Sequence, residues 1–176
     1  MGHPKLDLSG KLAVVIGGTS GIGLALSKGL AQAGANVIPT GRRVDLVGNA
    51  AAEVEAIGRE SLAQPCDVTK NASIGELLQA ALTKFGDVQI LVNCAGRTRR
   101  MPTLDFPEGE WDSIIDTNLT GTLRACRIFG RHMIAKKYGR IINIASISTF
   151  VALQEVTAYS ASKAAVASLT KSLAVE

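Results

Sequence analysis

The stretch Lys11-Leu12-Ala13-Val14-Val15-Ile16-Gly17-Gly18-Thr19-Ser20-Gly21-Ile22-Gly23 decides the fold. From Lys11 to Ile16 it is a short apolar run, the pattern of a strand buried on both faces. It breaks at once into glycines, and Ile22, Ala25, Leu26, Gly29, Leu30 and Ala33 then recur at helical spacing, with Gly34 placed as a C-terminal cap. Strand, glycine-rich turn and helix together open a nucleotide-binding βαβ unit. Gly17, Gly21 and Gly23 follow a G-x-x-x-G-x-G spacing. Bare backbone at such positions lets the chain turn tightly and lets a pyrophosphate approach the helix N-terminus. Any tight strand–helix loop favours glycine, so the argument for a dinucleotide rests on the turn's place between a buried strand and a helix.

The same alternation continues along the chain. A second strand, Asn36-Val37-Ile38-Pro39-Thr40, ends in Gly41-Arg42-Arg43, with Pro39 awkward for a central strand. Leu46, Val47, Ala50, Val54 and Ile57 form a helical stripe up to Gly58. Ser61-Leu62-Ala63-Gln64 reads as a weak third strand, leading to Pro65-Cys66-Asp67-Val68. A helix with Ile74, Leu77, Leu78, Ala81, Leu82 and Phe85 on one face follows. Ser73 and Glu76 have capping-box spacing, Thr69 offers an earlier cap, and Gly86 stops the helix. Val88 to Val92 is the fourth strand, ending in Asn93-Cys94-Ala95-Gly96. A long helical segment runs from Glu108 to Lys137, a fifth strand from Arg140 to Ala145, and a last helix from Val156 to Glu176. This order implies right-handed crossovers and an open parallel sheet in a three-layer α/β/α fold.

Composition agrees. Of 176 residues, 47% are hydrophobic but only 4% aromatic, so the core must be aliphatic, and with 18 glycines this favours α/β layers over a β-sandwich. The net charge of +4 is scattered, and the densest groups, Arg97-Thr98-Arg99-Arg100 and Lys136-Lys137, are too short to argue for nucleic acid. Cys66, Cys94 and Cys126 are odd in number and form no CxxC, which points to neither a disulfide framework nor a metal site and fits a reducing compartment. Met1 to Gly10 has no apolar core of a secretory signal, and no window approaches 18 apolar residues. A cytoplasmic protein without a membrane span is expected.

Several polar residues fall where chemistry would sit. Tyr159 and Lys163 are four residues apart, so on a helix they share a face, where an ammonium favours a phenolate. An amphipathic surface pair would have the same spacing. Ser146, thirteen residues upstream, ends the fifth strand. At the tip of the second strand an acidic side chain would select the free 2′-hydroxyl of NAD. Here stand Thr40, Gly41, Arg42 and Arg43, and a guanidinium fork suits the 2′-phosphate of NADP. Asp67 is placed either to accept from an adenine amino group or to cap the next helix. Asn93 and Gly96 put an amide and bare backbone over the same rim. Asn118, within Asp116-Thr117-Asn118-Leu119-Thr120-Gly121, lies among poor helix formers, a run expected to distort the helix locally.

Taken in order, Gly17-xxx-Gly21-Ile22-Gly23, Asp67-Val68, Asn93-Cys94-Ala95-Gly96, Asn118, Ser146 and Tyr159-xxx-Lys163 resemble the motifs of compact short-chain dehydrogenases/reductases, similar to 3-oxoacyl-carrier-protein reductases and polyol or sugar dehydrogenases. The resemblance runs from Leu8 to Glu176. It implies a Rossmann-like sheet of strand order 3-2-1-4-5 in a single dinucleotide-binding domain, residues 1–176, with the family's strands 6 and 7 and their substrate-covering segment absent. It implies hydride transfer between NADP(H), less readily NAD, and a small-molecule carbonyl or alcohol substrate, with no metal. Tyr159 is then the general acid/base. Lys163 tunes it and holds the nicotinamide ribose, Ser146 hydrogen-bonds the substrate oxygen, and Asn118 orders a water linking Lys163 to solvent. Cofactor contacts are implied for Gly17, Ser20, Gly21, Ile22, Gly23, Arg42, Asp67, Val68, Asn93, Ala95, Gly96, Tyr159 and Lys163, and a homo-oligomer, dimer or tetramer, is implied through the long helix and the last one. Two residues depart from the pattern: Ile16 stands where the family usually has Thr, and Cys94 replaces a second Asn. Two other readings compete. A non-catalytic dinucleotide-binding fragment would need none of Ser146, Tyr159 and Lys163. A nucleotide-sugar epimerase or dehydratase would show G-x-x-G-x-x-G, which Gly17 to Gly23 do not fit.

Overall fold

The computed structural model describes residues 7–176; Met1 to Leu6, part of the segment read as lacking a secretory signal, lie outside the described residues. Four parallel strands, β1 (Leu12–Ile16), β2 (Asn36–Thr40), β3 (Ile90–Asn93) and β4 (Arg140–Asn143), form a sheet of order β2-β1-β3-β4. Helices α1 (Gly21–Gln32), α2 (Val44–Ala56), α3 (Asn71–Phe85), α4 (Glu108–Ile115), α5 (Gly121–Ala135) and α6 (Thr157–Val175) connect and follow them. Alternate side chains of a strand face opposite sides, and the sheet divides accordingly. Leu12, Val14, Ile16, Ile38 and Leu91 pack with Ile74, Leu77 and Ala81 of α3 and Ala125, Phe129 and Met133 of α5. Ala13, Val15, Val37, Ile90 and Val92 pack with Ala31 of α1 and Val54 of α2. All five residues of β1 are buried, as its unbroken apolar run requires.

The expected third strand is not one. Residues 60–64 run beside β2, where Val37 N–H donates to Glu60 O at 3.1 Å. The next amide of β2 on that edge belongs to residue 39, and proline has no N–H. The ladder therefore stops after one rung, and side chains replace it: Ser61 Oγ donates to Val37 O at 2.7 Å and Thr40 Oγ1 to Gln64 O at 2.5 Å. Pro39 itself sits inside β2, paired with Val15. The predicted fourth and fifth strands are β3 and β4, shifted or shortened by a few residues at their ends.

The capping box is also corrected. Ser73 lies inside α3, whose N-cap is Lys70, and its hydroxyl accepts from Asp67 N–H at 3.0 Å. The predicted stop holds: Gly86 caps α3 in the left-handed region, φ 81°. The long segment from Glu108 divides at the anticipated place. Asp116–Thr120 form a π-turn between α4 and α5, the extra residue of which shifts Asn118 into the fully buried interior. No helix among the described residues is long and apolar enough to cross a membrane.

Candidate active site

A cleft of about 860 Å³ opens over the C-terminal ends of the strands, within the ~300–1,000 Å³ typical of ligand pockets. Its floor is the glycine turn. Gly17 has φ 84°, and a Cβ there would stand 2.5 Å from Ala95 N, so only a glycine lets the β1 loop meet the β3 loop. A Cβ on Gly23 would run into the Gly17 carbonyl oxygen, whereas around Gly21 nothing lies within 4 Å. Helix α1 starts at the turn with no side-chain cap on Ser20 and no acid in its first turn. Its first amides therefore remain available to an anion, and no carboxylate repels one. These features fit a dinucleotide pyrophosphate.

Thr19, Ser20, Ile22 and Gly23 line the cleft on this side, with Gly41, Arg42 and Arg43 from the end of β2. Neither Arg42 nor Arg43 has an ion-pair partner among the described residues. Asp67 and Val68 form the neighbouring wall. Asp67 is neither a helix cap nor free: its Oδ1 accepts from Thr69 N–H at 3.0 Å and Thr69 Oγ1 at 2.8 Å. Partial burial opposes its ionisation, but those two bonds and the charges of Arg42 and Lys70 outweigh it and hold the carboxyl below its usual range.

Cys94, Ala95, Gly96, Arg97 and Thr98 cross the middle of the cleft after β3. Asn93 does not reach it. In the β3–β4 register Asn93 stands opposite Asn143, and its amide donates to Asn143 Oδ1 at 2.8 Å and to Cys126 Sγ at 3.4 Å. Strand alternation turns it to the side of Leu91, toward α5, so it ties strands together instead of facing a cofactor.

Tyr159 and Lys163 line the far wall together with Ile144 and Ala145. Lys163 is 5% exposed; its Nζ donates to Ile144 O at 2.6 Å and lies 5.9 Å from the centroid of the Tyr159 ring. Burial pushes its pKa below the usual lysine value, with the nearby Cys94 acting the other way. Ser146 does not line the cleft but ends the next step of the β4 loop, as N-cap of a short 3₁₀ turn, Ile147–Thr149, its Oγ accepting from Ser148 N–H at 3.2 Å.

Asn118 stands behind this wall as a clamp. Its Oδ1 accepts from Arg97 N–H at 2.8 Å, and its Nδ2 donates to Arg97 O at 2.9 Å and Ser162 Oγ at 3.0 Å. Both amide hydrogens are thus committed to protein. Ser162, fully buried, passes the connection on by donating to Tyr159 O at 2.6 Å. Sequence reading missed Ser162, although a small polar residue three positions after Tyr159 was its visible signal. It also missed Arg97, whose guanidinium donates to Glu110 at 2.7 Å and to Ser113 and so staples the β3 loop to α4. Among the described residues no group of His, Cys, Asp and Glu could hold a metal ion, and all three cysteines are free thiols.

Known proteins resemble this chain in sequence and fold. The family profile described as short chain dehydrogenase matches residues 11–176. A gluconate 5-dehydrogenase of Gluconobacter oxydans (strain 621H) is 37% identical over 177 residues, 100% of this chain and 69% of that protein. An uncharacterized oxidoreductase of Staphylococcus aureus (strain MRSA252) is 39% identical over 170 residues, 96% of this chain and 72% of its own length. Among solved structures, a short-chain type dehydrogenase/reductase from Mycobacterium marinum superposes with a TM-score of 0.92 at 36% identity, covering 97% of this chain and 68% of that one. A metagenomic short-chain oxidoreductase in complex with NADP has a TM-score of 0.88 at 35% identity, covering 94% and 76%. With its glycine turn, its parallel sheet and this degree of identity, the chain belongs to the short-chain dehydrogenase family of NAD(P)-dependent oxidoreductases.

Proposed function

We propose that this cleft carries hydride transfer between NADP(H) and a ketone or secondary alcohol, with Tyr159 exchanging the proton on the substrate oxygen. The observation that carries this reading is the buried Lys163 ammonium, 5.9 Å from the Tyr159 ring centroid on the same cleft wall. Taking an ammonium out of water is costly, and a fold retains it where the charge is used. The nicotinamide of a bound cofactor supplies or accepts the hydride. Tyr159 Oη gives its proton to the developing alkoxide in reduction and takes it back in oxidation. The Lys163 charge stabilises the phenolate left behind and hydrogen-bonds the cofactor ribose. Ser146 adjoins Ala145 of the cleft wall, and because its Oγ accepts from Ser148 N–H its own O–H is left to donate to a substrate oxygen that reaches past that wall. Asn118 keeps the Arg97 loop and α6 in register, and with its side chain committed its role toward a relay water falls to its backbone carbonyl, which also accepts from the Thr122 hydroxyl.

NADP is favoured over NAD because Arg42 and Arg43 are the side chains at the tip of β2, while Asp67, the acid on the cleft, belongs to the neighbouring wall. A relative that binds NADP supports the same choice. The outward residues Ala161, Ala164 and Ser168 of α6 and Arg127 and Arg131 of α5 are the surfaces through which a dimer or tetramer would form.

The test is NADPH oxidation and NADP reduction across a panel of ketones, polyols and gluconate, with Tyr159→Phe alongside. Turnover lost in Tyr159→Phe with unchanged NADPH affinity supports the assignment. NADPH binding with no turnover in either direction supports a non-catalytic dinucleotide-binding chain instead. In titrations, Arg42→Ala should weaken NADP about tenfold, the scale of one charge-assisted hydrogen bond, and leave NAD unchanged. Equal affinities for NADP and NAD in the unmutated protein overturn the cofactor assignment.

A further inference from the structure

Gly121 is the first residue of α5, directly after the π-turn, and it is crowded most tightly by Val68, with the Asp116 carbonyl oxygen next at 3.3 Å from a Cβ built there. A Cβ built there would stand 2.8 Å from Val68 Cγ2 and 2.9 Å from Val68 Cβ. Gly130 of the same helix has only Ile141 Cδ1, at 3.9 Å, and Gly109 of α4 has nothing within 4 Å. The close approach is thus specific to the point where α5 meets the turn carrying Asp67 and Val68. A second contact reinforces it: Arg124 Nη1, paired with Asp116 at 2.7 Å, reaches Val68 O at 3.4 Å. Val68 is 6% exposed, with α5 on one side and the cleft on the other.

We propose that Gly121 is a cofactor-positioning residue: its missing side chain lets Val68 and Asp67 sit back against α5, which leaves room for the adenine end of the dinucleotide. This rests on reading the cleft as a dinucleotide site with the adenine beside Asp67 and Val68. A methyl at Gly121 needs about 1 Å more separation to reach ordinary carbon–carbon contact. Two parts can yield that distance. Helix α5 is anchored by Phe129 and Ala125, both fully buried, so shifting it would disturb the tightly packed core. The 67–68 turn is held by hydrogen bonds to Ser73 and Thr69 and is the softer element. It moves toward the cleft and narrows the adenine space. Displacements of this size cost up to about a hundredfold in rate where reacting groups are misplaced, and a smaller loss follows for binding alone.

The experiment measures dissociation constants for NADPH and for ADP, which probes the adenine end alone, by calorimetry, together with the melting temperature. Gly121→Ala should raise both constants about tenfold, whereas Gly130→Ala, a helix-matched control, should leave them within twofold. In a Val68→Gly background the same Gly121→Ala change should alter them less than twofold, because the clash has been removed. Constants within twofold for Gly121→Ala, or an equal penalty in the Val68→Gly background, overturn the proposal. If Gly121→Ala alone does not fold, recovery of folding in the double variant supports the contact, and a double variant that stays unfolded overturns it. The underlying site reading fails separately: NADPH then binds the unmutated protein, but Val68→Gly and Asp67→Asn both leave the ADP constant unchanged.

Discussion

Asn118→Leu tests the clamp on which the site's geometry depends. Leucine keeps the branched heavy-atom skeleton of asparagine, so the substitution removes three hydrogen bonds, with some overpacking from its larger methyl groups at this fully buried position. Two of them, at 2.8 and 2.9 Å, hold the amide and carbonyl of Arg97, and the third, at 3.0 Å, holds Ser162 Oγ. Arg97 is half-buried, so water can partly replace its lost partners, at about 1 kcal/mol per bond. Ser162 is fully buried but keeps its own bond to Tyr159 O, so its loss is smaller. The total is about 2–4 kcal/mol. At roughly 2–4 °C per kcal/mol for a chain of this size, thermal unfolding at pH 7 should show the melting temperature lowered by about 5–15 °C. Hydrogen exchange adds a local readout, since the Arg97 amide should lose its protection while amides of β1 keep theirs. A melting temperature within 2 °C of the unmutated protein, with Arg97 still protected, would refute the clamp.

Phe129→Ala removes a fully buried ring from the α3–α5 side of the sheet. It should cost about 3–5 kcal/mol, read as an earlier urea midpoint, and a loss below 1 kcal/mol would mean that the core collapses around the gap. Asp87 is opposed by partial burial but held below its usual range by hydrogen bonds from His132, Val88 N–H and Gln89. Because its folded pKa is lowered, its contribution is complete above about pH 4 and is lost as the pH falls through the folded value. Asp87→Asn should flatten the fall of melting temperature over that acid range, and parallel curves for the two proteins would contradict this. Of the three thiols, Cys66 is pushed up to about 11 by burial, with Asp67 and Glu76 adding and the Ser73 bond opposing, whereas half-buried Cys94 lies open on the cleft beside Lys163. Iodoacetamide at pH 8 should label Cys94 first and more slowly with NADPH present, and mass spectrometry finding Cys66 labelled first would reject that order.

Most readings that depended on consecutive residues survive in the structure, the Ser73–Glu76 capping box being the exception. The run from Lys11 to Gly23 is strand, turn and helix, and the poor helix formers from Asp116 to Thr120 do interrupt the helix, as a π-turn. Readings that depended on a partner elsewhere changed. The strand expected at Ser61 to Gln64 fails because Pro39, on a different segment, lacks the amide its ladder needed. Ser73 is spent on Asp67, not on the start of its own helix.

The amino-acid order by itself determined the succession of elements apart from the strand expected at Ser61 to Gln64, together with the glycine turn and the chemical groups available, because local sterics and apolar periodicity act within a few residues. Which of those groups face the cleft was decided only by the tertiary structure. Asn93 turns inward through its register against Asn143, Asn118 is committed to Arg97, and Lys163 meets Ile144 O, each pairing joining residues about twenty or more apart in the chain. Strand register and helix packing set these side-chain directions, and both arise from contacts between segments that local sequence does not encode.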